Sequence, residues 1–333
     1  MELGLTDDQG FFAETTRKFL ADKCSITAVR ALESSVDGFD RDVWRAGCEL
    51  GWTSLLVGEA HGGGSISEHG LLDAALIAEE MGRAVAPGPF VPTNVVAFAI
   101  AMGGTPDQKA TWLPRLMSGD AIGAWVVPGN PVEAGAQADV FLVGDRLIAA
   151  DSPGFVVTPM EGLDLTRRFA SVTVPPDVGE PLVVSPTALL QVAIALQSAE
   201  TCGVLDRVFH MTLDYMSDRY SFGRPISSYQ ALKHRMADNK VQLEACHAIA
   251  TAAARSAARH DDDATENMLA AKSYIGAVAT EMIQDCVQLH GGIGVTWEHD
   301  IHLYLRRATV NRAMYGSPSE HRDRLAATRL SVA

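Results

Sequence analysis

Hydrophobic positions in the first third of the chain recur every three or four residues. Thr6 followed by Gln9 makes a capping-box start, and Phe11, Phe12, Thr15 and Phe19 then share one helical face. A second helix is predicted over residues 66–83, with Leu71, Leu72, Ala75, Leu76 and Met81 on its apolar side and Gly62, Gly63 and Gly64 breaking the chain before it. Pro87, Pro89 and Pro92 punctuate the next link. Residues 105–117 open on Thr-Pro-Asp-Gln and close on Ser118-Gly119-Asp120, the bookends of a helix that Pro114 is expected to kink or shorten.

The period changes near residue 121. "IGAWVV", "DVFLV", "RLIAA", "GFVVTP" and "FASVTV" are short and β-branched, with Pro, Gly and Asp between them, and they predict a small antiparallel unit. From Pro186 the helical period returns. Leu189, Ala193, Leu196, Glu200, Val204, Val208 and Met211 trace one helix; Tyr229, Leu232, Met236, Leu243 and Ala250 a second; Met268, Ala271, Ile275, Val278, Met282 and Leu289 a third. A shorter helix is predicted over 298–313. The fold class that follows is α+β and mostly α. It comprises an N-terminal helical domain over 1–120, a reduced β-domain over 121–185 and a C-terminal four-helix bundle over 186–333.

Composition narrows the function. A net charge of −14 disfavours nucleic-acid binding, which needs a cationic face. The five cysteines show no ligand spacing, so no metal site or disulfide framework is expected, and they read as packing residues in a reducing cytosol. The N-terminus lacks a signal-peptide pattern, and no apolar run approaches the ~18 residues of a membrane span, so a soluble, cytoplasmic protein is expected.

Two stretches carry candidate chemistry. In "DRYSFGRPISSYQALKHRMAD" (218–238) a helix ends at Arg219, Phe222-Gly223 and Arg224-Pro225 make a tight turn, and a new helix follows with Ser227 or Ser228 as its expected cap. Arg219, Ser221 and Gln230 gather at this corner, and guanidinium with free backbone N–H groups favours a phosphate or pyrophosphate. The same residues also suit a plain capped connection with solvated arginines, and the pattern leaves both open. In "QLHGGIGVTWEHDIHLYLRRA" (288–308), Gly291, Gly292 and Gly294 follow a helix ending at His290. These glycines suit close backbone approach to a ligand, or simply a helix stop.

Together these two stretches resemble the C-terminal domain of the acyl-CoA dehydrogenase family. "ELGWTSLLVGEAHGGG" and "GTPDQKATWLPRLMSGD" resemble its N-terminal part, so the likeness covers nearly the whole chain. The resemblance implies a helical domain, a β-domain and a four-helix bundle. It implies FAD bound across a subunit interface, with the flavin ring between one subunit's β-domain and bundle and the tail held by the neighbour's bundle. Carried over, Arg219, Ser221 and Phe222 match the motif whose arginine meets the pyrophosphate. Gln230 matches a glutamine of the following helix, and Gln288, Gly291 and Gly292 match the residues near the adenosine. An acyl-CoA substrate, and electron-transfer flavoprotein as acceptor, follow from the same resemblance.

The family's catalytic glutamate stands in a Tyr-Glu-Gly-Thr/Ser turn. Here the turn is Met314-Tyr315-Gly316-Ser317-Pro318, and the glutamate's place falls at Gly316 or Tyr315. Glycine takes no proton, and a phenol of pKa near ~10 is a poor base at neutral pH. The alternative family position falls near Ala193. Glu200, two turns further on, reads as a partner for Arg207 or a polar bundle residue, and Glu320 is expected on the wrong face. His290, His299 and His321 read as structural or solvated. "WVVPGNP" replaces the family's Thr-Glu-Pro-Gly loop, and the Trp-Ile-Thr/Ser strand is absent. The chain therefore resembles the base-lacking subunit of heterotetrameric steroid side-chain acyl-CoA dehydrogenases. No catalytic residue of its own is expected, and a related subunit is the expected partner. A self-sufficient homo-oligomer using Glu200 or Tyr315, and a scaffold without flavin, are the alternatives.

Overall fold

The computed structural model describes residues 4–330. Six helices come first: α1 (Asp7–Lys23), α2 (Ile26–Ala31), α3 (Arg41–Glu49), α4 (Gly70–Arg83), α5 (Phe90–Gly103) and α6 (Pro106–Ser118). α1 and α6 both open on reciprocal caps. Thr6 Oγ1 accepts from the Gln9 N–H while Gln9 Oε1 accepts from the Thr6 N–H, and Thr105 with Gln108 repeats the pair. α4 starts at Gly70 rather than at Ile66, because the Asp73 carboxylate accepts the Ile66 and Ser67 N–H groups and holds them outside the helix. α6 runs through Pro114 to Ser118, so the proline does not shorten it. Burial of Leu113 and Leu116 holds the turn across the missing N–H.

The middle of the chain forms β1 (Gly123–Val126), β2 (Val132–Glu133), β3 (Val140–Val143), β4 (Arg146–Ala149), β5 (Val156–Met160), β6 (Phe169–Thr173) and β7 (Glu180–Pro181). One sheet has the order β1-β3-β4-β7 and the other β2-β6-β5. The expectation of a purely antiparallel unit is corrected here. β1 runs parallel to β3, with Gly123 opposite Val140 and Val126 opposite Val143. The stretch 127–139 supplies the long return that parallel pairing requires, and it carries β2 into the second sheet on the way.

The bundle comprises α7 (Pro186–Asp218), α8 (Gln230–Arg259), α9 (Ala264–His290), α10 (Ile301–Ala313) and α11 (Pro318–Leu330). The hairpin β8 (Tyr220–Ser221) and β9 (Arg224–Pro225) joins α7 to α8. Neither Ser227 nor Ser228 caps α8. Ser228 Oγ turns back to donate to the Pro225 carbonyl, and Tyr229 takes the cap position. α7 is apolar and long enough to cross a membrane, yet 83% of its most apolar window is buried, and it is the core helix of the fold. It crosses α4 at glycines. A Cβ at Gly82 would stand 1.9 Å from the Glu200 carbonyl oxygen, and one at Gly203 1.9 Å from that of Glu79. The small residues let the two backbones meet, and this fixes where Glu200 enters the core.

Candidate functional site

The end of the bundle where α7 stops, α8 starts and α9 stops gathers every residue expected to bind a cofactor. Tyr215 near the end of α7 stacks on His290 at the end of α9, ring centroids 4.6 Å apart, so the two ends are neighbours. Between α7 and α8, Phe222 (φ 51°) and Gly223 (φ 80°) form the tip of the hairpin, both left-handed as a two-residue turn requires. A left-handed phenylalanine is uncommon. This one is 96% exposed, so burial within the chain does not explain it. The hairpin is braced from below: the Tyr229 hydroxyl donates to the Ser221 carbonyl at 2.9 Å, and the Arg224 guanidinium lies 4.0 Å over the Tyr229 ring.

Arg219, Gln230, Gln288, Gly291 and Gly292 are exposed, and Ser221 is half-buried. Arg219 makes no ion pair among the described residues. Gly291 needs its glycine for its backbone (φ 65°, ψ −143°). Gly292 does not: its φ is ordinary, and a Cβ there would meet nothing within 4 Å. Neither conformation nor packing inside the chain asks for glycine at 292, which fits the close approach of something outside. A free guanidinium fork and open glycine backbone at one bundle end suit a diphosphate and its nucleoside. These residues therefore fit the tail of FAD.

The turn at 314–317 is a separate place. Tyr315 is left-handed (φ 61°), buried, and stacked on Trp125 of β1 with ring centroids 5.4 Å apart. Its N–H donates to Asn130 Oδ1 at 2.9 Å, so "WVVPGNP" packs directly on this corner. Burial, helped by Glu133, pushes the phenol well above its ordinary pKa and disfavours the phenolate. A Cβ added at Gly316 would stand 2.6 Å from Nε2 of His321, which lies 2.8 Å from the Tyr315 carbonyl oxygen. Glu320 is turned away from the corner and accepts from Ser317 N–H and Oγ as a cap of α11. His290 meets the Cys286 carbonyl, and His299 accepts from the Ile301 N–H, both in structural roles.

Beside Tyr315 a buried ionic network joins the β-layer to the bundle. Glu200 accepts from Arg167 and Arg307 at 2.6 Å and from Asn311 at 2.9 Å. Asp164 accepts from Arg307 Nε at 2.5 Å and from Thr166, and Arg167 Nε faces Glu133 at 3.2 Å. Burial alone would raise Glu200 and Asp164, but the two guanidiniums hold both below the usual carboxylate range. Glu133, with less compensation, is raised by burial. The pairing of Glu200 with Arg207 is thus corrected. Arg207 lies two turns along α7 and lines a cleft with Tyr304, out of reach. A separate crevice of about 10 Å³ lies between the N-terminal segment and the β-layer, lined by Phe39, Gly88, Glu133, Thr166 and Arg167.

Sequence reading missed this network and the Trp125–Tyr315 stack. One signal was present: Glu200 stands in the apolar stripe between Leu196 and Val204, where an acid implies a buried partner. Among the described residues no group of His, Cys, Asp and Glu could hold a metal ion.

Comparison with known proteins gives the lineage. Residues 6–120 match the acyl-CoA dehydrogenase N-terminal domain and residues 187–330 its C-terminal domain. The chain is 36% identical to acyl-CoA dehydrogenase IpdE2 of Mycobacterium tuberculosis over 320 residues, covering 96% of each. It is 33% identical to IpdE2 of Mycolicibacterium smegmatis, covering 97% of this chain and 99% of that one. Among solved structures, the Tcur3481-Tcur3483 steroid ACAD superposes with a TM-score of 0.86 at 26% identity, covering 98% of this chain and 99% of that one. The ChsE4-ChsE5 complex of Mycobacterium tuberculosis shares the fold with a TM-score of 0.83 at 23% identity, covering 98% of both chains. In sequence along both terminal domains, and in fold throughout, the chain belongs to the acyl-CoA dehydrogenase family of oxidoreductases, whose members are typically FAD-dependent.

Proposed function

We propose that this chain is the base-lacking subunit of a heteromeric acyl-CoA dehydrogenase, and that it completes the FAD site of a related catalytic partner. The observation that carries the reading is the split between two places. Residues fitted to the cofactor tail stand exposed at the bundle end, whereas the corner where the family keeps its glutamate holds a buried, stacked Tyr315. Arg219 would meet the diphosphate, with Ser221, Phe222 and Gln230 beside it. Gln288, Gly291 and Gly292 would face the adenosine. Bound FAD supplies the hydride acceptor for α,β-dehydrogenation, and the partner supplies the group that takes the α-proton.

The seam between this chain's own β-layer and bundle is closed by the ionic network of Arg167, Arg307, Glu200 and Asp164, which supports the same reading. Relatives named as a steroid ACAD and as the ChsE4-ChsE5 complex favour a steroid-derived acyl-CoA as substrate and an unlike subunit as partner. Electron-transfer flavoprotein is the acceptor this reading expects.

The test is co-expression with a related family member encoded nearby, followed by flavin stoichiometry. The complex should hold one flavin per pair of unlike chains, and Arg219→Ala should strip it. The chain purified alone should be colourless and inert toward acyl-CoA. A yellow, active single-chain preparation would defeat the proposal, and full flavin occupancy in the Arg219→Ala complex would remove this chain from the cofactor site.

A further inference from the structure

The segment from Asn311 to Tyr315, which leads α10 into its left-handed corner, is held by two bases. Lys272 of α9 donates to the Asn311 carbonyl and to Gln197 Oε1. Nε2 of His321 on α11 meets the Tyr315 carbonyl at 2.8 Å. A carbonyl only accepts, so this Nε2 carries the hydrogen, and Nδ1 of the neutral ring is left as a buried acceptor without a partner among the described residues. Lys272 is 4% exposed and His321 fully buried.

The charged groups around them come from four elements. Arg167 of the β-layer opposes a positive charge on Lys272, and Arg324 of α11 opposes one on His321. Lys272 and His321 also oppose each other. Glu200 of α7 is already engaged by Arg167 and by Arg307 of α10, and Glu320 is turned to Ser317. Neither base makes an ion pair among the described residues.

We infer that Lys272 and His321 form a proton-operated clamp on the Asn311–Tyr315 corner. Uncharged, they pin it to α9 and α11; on taking up protons they let it open to water. An opened corner would return the Lys272 amine to an ordinary pKa near ~10.4. The closed corner pushes it down to about 7, chiefly through burial. Between those values the open form binds one more proton than the closed form. Each unit fall in pH across that window therefore raises the open population about tenfold, and the gain levels off below about pH 7. His321 adds a second rise below its ordinary value of ~6.5, because burial holds its closed value lower.

Hydrogen exchange of the amides at 314–317 in the full chain, corrected for intrinsic rates, tests the clamp between pH 9 and pH 7. The expected result is an opening equilibrium that rises about tenfold per unit fall in pH. Amides of α7 such as Leu205 should stay slower throughout, and the slope should vanish in Lys272→Met but persist in His321→Phe. A flat wild-type profile overturns the clamp without need of any variant. A slope that survives Lys272→Met, or one rate shared by the corner and α7, overturns it equally.

Discussion

Arg307 shows how much one side chain can hold. Its guanidinium satisfies Asp164, Glu200, Thr166 and the Ala86 carbonyl from a position 1% exposed. Arg307→Met leaves buried Asp164 with only one guanidinium, Arg167 Nε at 3.9 Å, and takes one of two guanidiniums from Glu200, and a loss of about 3–5 kcal/mol in urea unfolding is expected. Arg329→Ala, which cuts a pair with Glu266 at a side chain 73% exposed, should change the same measurement by under about 1 kcal/mol. The acids set a pH dependence as well. Glu200 and Asp164 sit below their unfolded values of ~4, so the stability they contribute is present above about pH 4 and drains away as pH falls further. Unfolding midpoints at pH 5 and pH 3 should differ more in the wild type than in Glu200→Gln. An acid at position 200 was visible in the sequence, but its partners were not. Arg167 lies 33 residues away and Arg307 107, and periodicity records which face of a helix is buried without recording what it meets.

Elements were legible where the code is local. The two Thr–Gln capping boxes were readable from spacing alone, and Thr105→Ala should lower the melting stability by ~1 kcal/mol. Elements were illegible where the code is relational. A β-branched run states that a strand exists but not its direction, so the parallel pairing of β1 with β3 surfaced only with the fold. The α4–α7 crossing is of the same kind. Gly82 and Gly203 look like helix-weakening residues in isolation, yet each receives the opposite backbone. Gly203→Ala forces the helices apart, and a destabilisation of roughly 1–3 kcal/mol in thermal or chemical unfolding is expected, against a gain of up to ~1 kcal/mol if propensity alone decided.

For the molecule as a whole, fold class and family were readable because the two C-terminal motifs sit where three helices end or begin together. The ionic network between the layers was not, because partners far apart in the chain leave no signature in a linear pattern. The ionic knot also bears on how the structure comes apart. Glu133, Asp164 and Arg167 belong to the β-layer, while Glu200, Arg307 and Asn311 belong to the bundle. Prising one layer from the other would flood every one of these contacts at once, so neither half has a way to let go early. Heated or pulled, the chain should surrender in a single step, with tryptophan emission and helical dichroism fading at one temperature.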